Sequence, residues 1–224
     1  MSLYTIGDLH LSFGSQKPMN IFGDNWENHE KQIAQNWHLN DKDTIVLCGD
    51  TSWAIDFEQA AYDFEFINNL KGKKIILKGN HDYWWSTQNK LKNFAEKYPT
   101  ITFLHNNSFH VENSNICGTR GWILMPDEKA DMKILKREVI RLEFSLKSVE
   151  NDDEKIVFLH YPPIFYNIRC DEIIEILHKY NVKRCYYGHL HGYAFKHAFI
   201  GTDEGISYEL ISSDYIKFIP KKII

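Results

Sequence analysis

Five short polar clusters carry residue types capable of chemistry: Gly7-Asp8-Leu9-His10, Gly49-Asp50, Gly79-Asn80-His81-Asp82, His160 and Gly188-His189-Leu190-His191. Within them Asp8, His10, Asp50, Asn80, His160, His189 and His191 offer imidazole nitrogens and oxygens, with no thiolate. A mixed set of this kind suits Mn, Fe, Zn, Co or Ni better than structural zinc or an iron–sulfur cluster. Seven such donors are too many for one ion. They fit two divalent or trivalent ions sharing a carboxylate, with room left for water. Paired metals about 3.5–4 Å apart are the usual arrangement for displacement at phosphorus. Singly, each cluster is weak. Gly-Asp is common in turns, and a lone histidine such as His160 is more often a hydrogen-bonded core or surface residue. The reading rests on all five occurring in order, each directly after an apolar run.

Those runs are the elements that must position the clusters. Leu3–Ile6, Thr44–Cys48, Lys74–Leu77 and Ile101–Leu104 read as buried strands, with helices predicted over Trp26–Trp37, Phe57–Leu70 and Ser86–Tyr98. Phe57, Ala60, Ala61, Phe64 and Ile67 recur at three- and four-residue spacing, one apolar face turned to a sheet. The second half reads as a strand near Asn115–Cys117 and a long helix through Met132, Leu135, Val139, Leu142, Leu146 and Val149. Strands at Ile156–Leu159 and Arg184–Tyr187 then flank a helix near Asp171–Tyr180. The tail reads as three strands, Ala194–Ile200, Ser207–Ile211 and Tyr215–Ile219. Strand–helix alternation implies right-handed crossovers and mainly parallel sheets. Two sheets, each covered by helices on its outer side, fit this order, as one domain over residues 1–224. Ligands of open α/β sheets bind beyond the carboxyl ends of strands, where all five clusters fall.

Composition narrows the partners. A formal charge of −4 offers polyanions no overall attraction, so an extended nucleic-acid footprint is not expected. No apolar run approaches the roughly 20 residues that span a bilayer. Met1–Asp8 lacks the features of a signal peptide, so the cytoplasm is the expected compartment. Cys48, Cys117, Cys170 and Cys185 are widely separated and read as buried free thiols.

The series D-x-H, G-D, G-N-H-[DE], H and G-H-x-H resembles the calcineurin-like metallophosphoesterase superfamily from Gly7 to Gly192, with every position filled. The resemblance implies a four-layer α/β/β/α sandwich with two mixed sheets. It implies one metal on Asp8, His10, Asp50 and His191, and another on Asp50, Asn80, His160 and His189, with Asp50 bridging. It also implies attack on a small phosphorylated substrate, a phosphodiester or phosphomonoester, by a metal-bridging hydroxide. His81 is then the general acid, and neighbouring Asp82 is expected to hold its imidazolium and raise its pKa.

The sequence departs from the phosphoprotein phosphatases of that superfamily. Lys78-Gly-Asn-His-Asp and Gly49-Asp-Thr-Ser-Trp lack their arginines, which argues against a phosphoprotein substrate. It is closer to small bacterial predicted phosphohydrolases, similar at Gly-Asp-Leu-His-Leu and Ser-Ser-Asp-Tyr. Trp53, Tyr83, Trp84, Trp85, Trp122, Tyr161 and Tyr166 lie near the clusters, and an aromatic wall led by Trp53 and Trp84 is one reading of them. Packing between loops and helices is the other. Arg120, in a glycine-flanked turn, is a candidate to grip a phosphate oxygen. Asn25–His38 reads as an amphipathic helix, and His105, His110, His178 and His197 have no motif context. The rival functions are a nuclease on short or single-stranded nucleic acid and a non-catalytic scaffold. Retention of His81 and all seven ligand types argues against the scaffold.

Overall fold

The computed structural model describes residues 1–123 and 132–224. β1 (Leu3–Ile6), β2 (Thr44–Cys48), β3 (Lys73–Leu77) and β4 (Ile101–Phe103) run parallel as neighbours in one sheet. The second sheet is built from β5 (Phe109–Val111), β6 (Ser114–Thr119) and β7 (Glu154–Leu159), with a two-strand ribbon of β8 (Ile164–Phe165) and β9 (Ile168–Arg169) beside it. β10 (Arg184–Tyr187), β11 (Gly201–Asp203) and β12 (Ile206–Leu210) complete that sheet in the order β11-β12-β10-β7-β6-β5. β13 (Lys221–Lys222) returns antiparallel to β1 and closes the first sheet's edge. β6, β7, β10 and β12 are mutually parallel, and β5 and β11 are antiparallel edges.

Burial explains the layering. β2 is apolar on both faces: Ile45 and Leu47 pack with the helices α1 (His29–Asn36), α2 (Phe57–Asn69) and α3 (Gln88–Ala95). Val46 and Cys48 face Ile156, Phe158 and Tyr186 of the other sheet. β7 mirrors this, turning Val157 and Leu159 toward α4 (Met132–Lys147) and α5 (Asp171–Lys179). Strands covered on both faces read as continuous apolar runs rather than alternating ones. The result is the expected four-layer arrangement of two mixed sheets with helices outside. α2 starts where Asp56 accepts the Gln59 N–H at 2.9 Å, and it buries Ala60, Phe64 and Ile67. The four thiols are free and buried, and burial pushes the Cys117 thiol up to about 12 and Cys170 to about 11. No helix among the described residues is long and apolar enough to cross a membrane.

Two predicted stretches differ. The tail has one of its three expected strands, β12. Gly192–His197 is a 3-10 helix, and β11 forms in the Gly-Thr-Asp stretch that reads as a turn. Residues 214–219 coil locally, because the Tyr215 and Ile216 N–H groups return to the Ser212 carbonyl and Phe218 to Ser213. Those donors are then lost to any ladder. The first predicted helix begins at His29 rather than Trp26, since Asn28 takes a left-handed φ of 49°. That break sends Trp26 away from the helix and into the site described next.

Candidate metal centre

The ends of β1 and β2 continue beyond the sheet as a paired double loop. Asp8 N–H donates to Gly49 O at 2.9 Å, His10 to Asp50 O at 2.9 Å and Leu11 to Thr51 O at 3.1 Å. Asp8, His10, Asp50 and His189 have φ of 60°, 47°, 47° and 72°, a region L-residues adopt at a cost. Strain of this kind clusters at functional sites. Here it turns each donor off its strand into one crevice between the sheets. Glycines make the approach feasible: a Cβ on Gly49 would lie 2.6 Å from His160 Nδ1, and one on Gly79 would collide with Asp50.

Two donor groups result. Asp8, His10 and His191 converge in one, and Asp50, His160 and His189 in the other. Asp50 stands between them, its Oδ2 at 3.9 Å from His10 Nε2 and 3.4 Å from His160 Nε2. Asn80 Oδ1 joins the second group, 2.6 Å from His160 Nε2 and 2.9 Å from His189 Nδ1. All seven predicted ligands therefore meet. They fit metal ions on their own chemistry: His10 Nε2 and His191 Nε2 lie 3.3 Å apart, as do His160 Nε2 and His189 Nδ1. Such nitrogen–nitrogen pairs need a cation between lone pairs or a shared proton.

The outer partners fix which nitrogen faces inward. His160 Nδ1 lies 3.2 Å from Cys48 O, leaving Nε2 for the crevice. His191 Nδ1 lies 2.8 Å from Asp214 Oδ1, likewise freeing Nε2. Burial lowers His10 and pushes His189 down to about 3, with neighbouring imidazoles adding to the shift. Burial also opposes charge on His191, but Asp214 and Asp8 outweigh it and hold the imidazole at about 10. Asp214 was missed as a functional residue. Its signal was the Ser-Ser-Asp-Tyr tail, whose geometry follows from Ser213, which donates from its hydroxyl to Gly7 O at 2.5 Å.

The remaining predicted residues divide. His81 reaches the crevice, its ring 4.3 Å from Trp53 and its Nδ1 3.1 Å from Tyr83 Oη. Asp82 does not hold that imidazole. It is fully buried, accepting from Gly79 N (2.7 Å), Thr51 N (2.9 Å), Ser52 N (3.2 Å) and Trp84 Nε1 (3.1 Å). Its role is to clamp two motif loops together. Burial lowers the His81 pKa, against the raised value expected, with Asp50 opposing.

Trp84 is core, edge-on to Phe64 at 4.9 Å, because its N–H is tied to Asp82. Trp53 does line the crevice, but its ring is already occupied by His10, stacked at 5.0 Å, and by Lys17 Nζ, 3.5 Å above it. Arg120 lies outside this crevice, paired with Glu138 at 3.4 Å and 5.1 Å from the Trp122 ring. Other side chains line the crevice beside Trp53. Trp26 lies edge-on to His10 at 5.7 Å and His191 at 5.5 Å, with Met19, Phe22 and Tyr193 around a cavity of about 370 Å³.

Carboxylates and imidazoles that converge in a crevice of this kind form a donor set able to hold metal ions. The calcineurin-like phosphoesterase family matches residues 1–193, and the chain belongs to that family. It is accordingly a hydrolase of phosphoester bonds. No curated protein matches the chain in sequence. Among solved structures it is similar to a protein of unknown function, AQ665 from Aquifex aeolicus, at 17% identity and TM-score 0.53, covering 99% of this chain and 95% of that one. It is also similar to the phosphopantetheinyl hydrolase PptH from Mycobacterium tuberculosis, at 13% identity and TM-score 0.61, covering 100% and 95%. At these identities the likeness concerns the fold alone.

Proposed function

We propose that residues 1–224 form one domain that hydrolyses a small phosphoester with two metal ions, one on Asp8, His10, Asp50 and His191, the other on Asp50, Asn80, His160 and His189. The observation that carries this is Asp50 Oδ2, set between the two donor groups within 4 Å of an imidazole from each. When bound, the ions supply Lewis acidity toward the phosphoryl oxygens and a water of lowered pKa. The chain supplies the rest. Asp214 and the Cys48 carbonyl orient His191 and His160, Asp82 fixes the loops that carry Asp50 and Asn80, and His81 stands at the crevice to protonate the departing oxygen.

The apolar rim of Met19, Phe22, Trp26 and Tyr193 favours an organic group with a planar or apolar face beside the phosphorus. A phosphodiester presents such a group on either side of the scissile bond, so the diester is the preferred substrate. The test is hydrolysis of a chromogenic aryl phosphodiester against its monoester by metal-stripped protein with Mn²⁺ restored. A phosphopantetheinyl ester, named for the Mycobacterium tuberculosis neighbour, belongs in the same assay. Metal-dependent turnover faster on the diester is expected. Faster turnover of the monoester would overturn the substrate class, and silence on all three would overturn the reading.

A further inference from the structure

A second cavity, of about 520 Å³, opens at the same strand edge and shares no lining residue with the metal crevice. It lies where β3, β4 and β6 end, one strand further out in each sheet, and Lys78, His105, Arg120 and Arg141 line it. Glu138 is the one carboxylate lining it among the described residues, leaving an excess of two positive charges in a chain whose net charge is −4. Glu138 is already committed: Oε1 takes Arg141 at 2.6 Å and Arg120 at 3.4 Å, and Oε2 takes the Thr119 hydroxyl at 2.6 Å. Lys78 has no carboxylate within ion-pair distance among the described residues.

Unpartnered polar atoms accompany the charge. Arg120 Nε and His105 Nδ1 are buried without a hydrogen-bond partner among the described residues. Buried polar atoms of this kind are rare and call for a ligand or a water. Burial, then Arg141 and Lys78, hold His105 below its usual pKa. Ser86, Thr87 and Gln88 also line the cavity, at the start of α3, where the Thr87 side chain makes no capping bond. The helix's first N–H groups are thus left for an acceptor, and the dipole there favours an anion.

We propose that this cavity is an oxyanion site that takes a phosphate-type group between Lys78, Arg120 and Arg141. The group is either a second anionic centre of the substrate, remote from the reacting phosphorus, or a free anion. Only the first source rests on the phosphoesterase reading. Two guanidinium groups share the single Glu138 carboxylate and the Lys78 ammonium has none, so the excess positive charge favours an anion, and guanidinium forks match tetrahedral oxyanions.

Tungstate, a heavy phosphate surrogate, tests the site on the full metal-loaded chain. Anomalous scattering should place a tungstate among Lys78, Arg120 and Arg141. Titration in solution should show its affinity reduced about tenfold or more in Arg141→Glu, and less in Arg141→Gln. Occupancy of the metal crevice without occupancy of this cavity would overturn the proposal, as would equal affinity in both variants. Tungstate in the cavity but not at the metals would instead count against the phosphoesterase reading, so the two failures are distinguishable. Kinetics separate the sources. A diester with a remote phosphate whose KM advantage disappears in Arg141→Glu identifies the substrate's own anion. Bound tungstate with no KM advantage identifies a free oxyanion.

Discussion

The metal crevice and the cationic cavity sit side by side on one strand edge, yet their charge logic is opposite. At the ends of β1, β2, β7 and β10, carboxylates and imidazoles face one another and call for cations. At the ends of β3, β4 and β6, guanidinium and ammonium groups outnumber carboxylate and call for an anion. The topology supplies a crevice in both places, and the side chains carried by the first few residues beyond each strand decide its sign. Lys78 and Asn80, two residues apart, serve the two sides of that divide.

The largest effect should come from the carboxylate that joins the two metal groups. Asp50→Asn should cost turnover about a thousandfold or more, since a lost Lewis-acid pair forfeits several kcal/mol of transition-state stabilisation. Elemental analysis should find both metals depleted while tungstate still binds the cationic cavity. Two full equivalents retained would break the assignment of Asp50 as the bridge. His81→Ala should lower kcat about a hundredfold or more with metal content unchanged, as for loss of a general acid. Unchanged turnover would remove His81 from the mechanism. Asp214→Ala should weaken metal affinity by about tenfold to a hundredfold, the usual cost of losing an orienting partner behind a ligand histidine. A chelator titration reads this directly, and an unaltered midpoint would make Asp214 a bystander.

The remaining effect is on stability and concerns the scaffold behind the crevice. Asp63 accepts from Phe13 N–H at 2.8 Å and from the Ser52 hydroxyl, tying the β1 and β2 loops to α2. Burial lifts its carboxyl to about 6. The folded chain therefore binds this proton more tightly than the unfolded one. The group's contribution to stability falls as pH rises from about 4 to about 6, by up to about 3 kcal/mol. Asp63→Asn should flatten that part of the stability–pH curve in denaturant unfolding. An unchanged slope would show that Asp63 does not titrate in that range.

The crevice was legible in the sequence because its donors sit in short runs with glycine at strand ends. The same geometric demand that places them also marks them. The paired strands were legible for a related reason, as β2 and β7 are buried on both faces and read as unbroken apolar runs. What escaped was set by contacts distant in sequence. Trp26 left its predicted helix because Asn28 is left-handed. Asp214 reaches His191 only because Ser213 pins the tail to Gly7. The cationic cavity gathers Lys78, His105, Arg120 and Arg141 from four separate segments, and no local pattern joins them. Arg120 in its glycine-flanked turn and Trp84 beside Asp82 both read as substrate contacts from the sequence, yet one is drawn to Glu138 and the other to Asp82.

The central claim, two metals joined by Asp50, is tested most directly by titrating metal-stripped protein with Mn²⁺ while following bound metal and phosphodiester turnover together. Binding should saturate at two equivalents, with turnover appearing as the second site fills. Saturation at one equivalent, or full turnover in the stripped protein, would contradict the account.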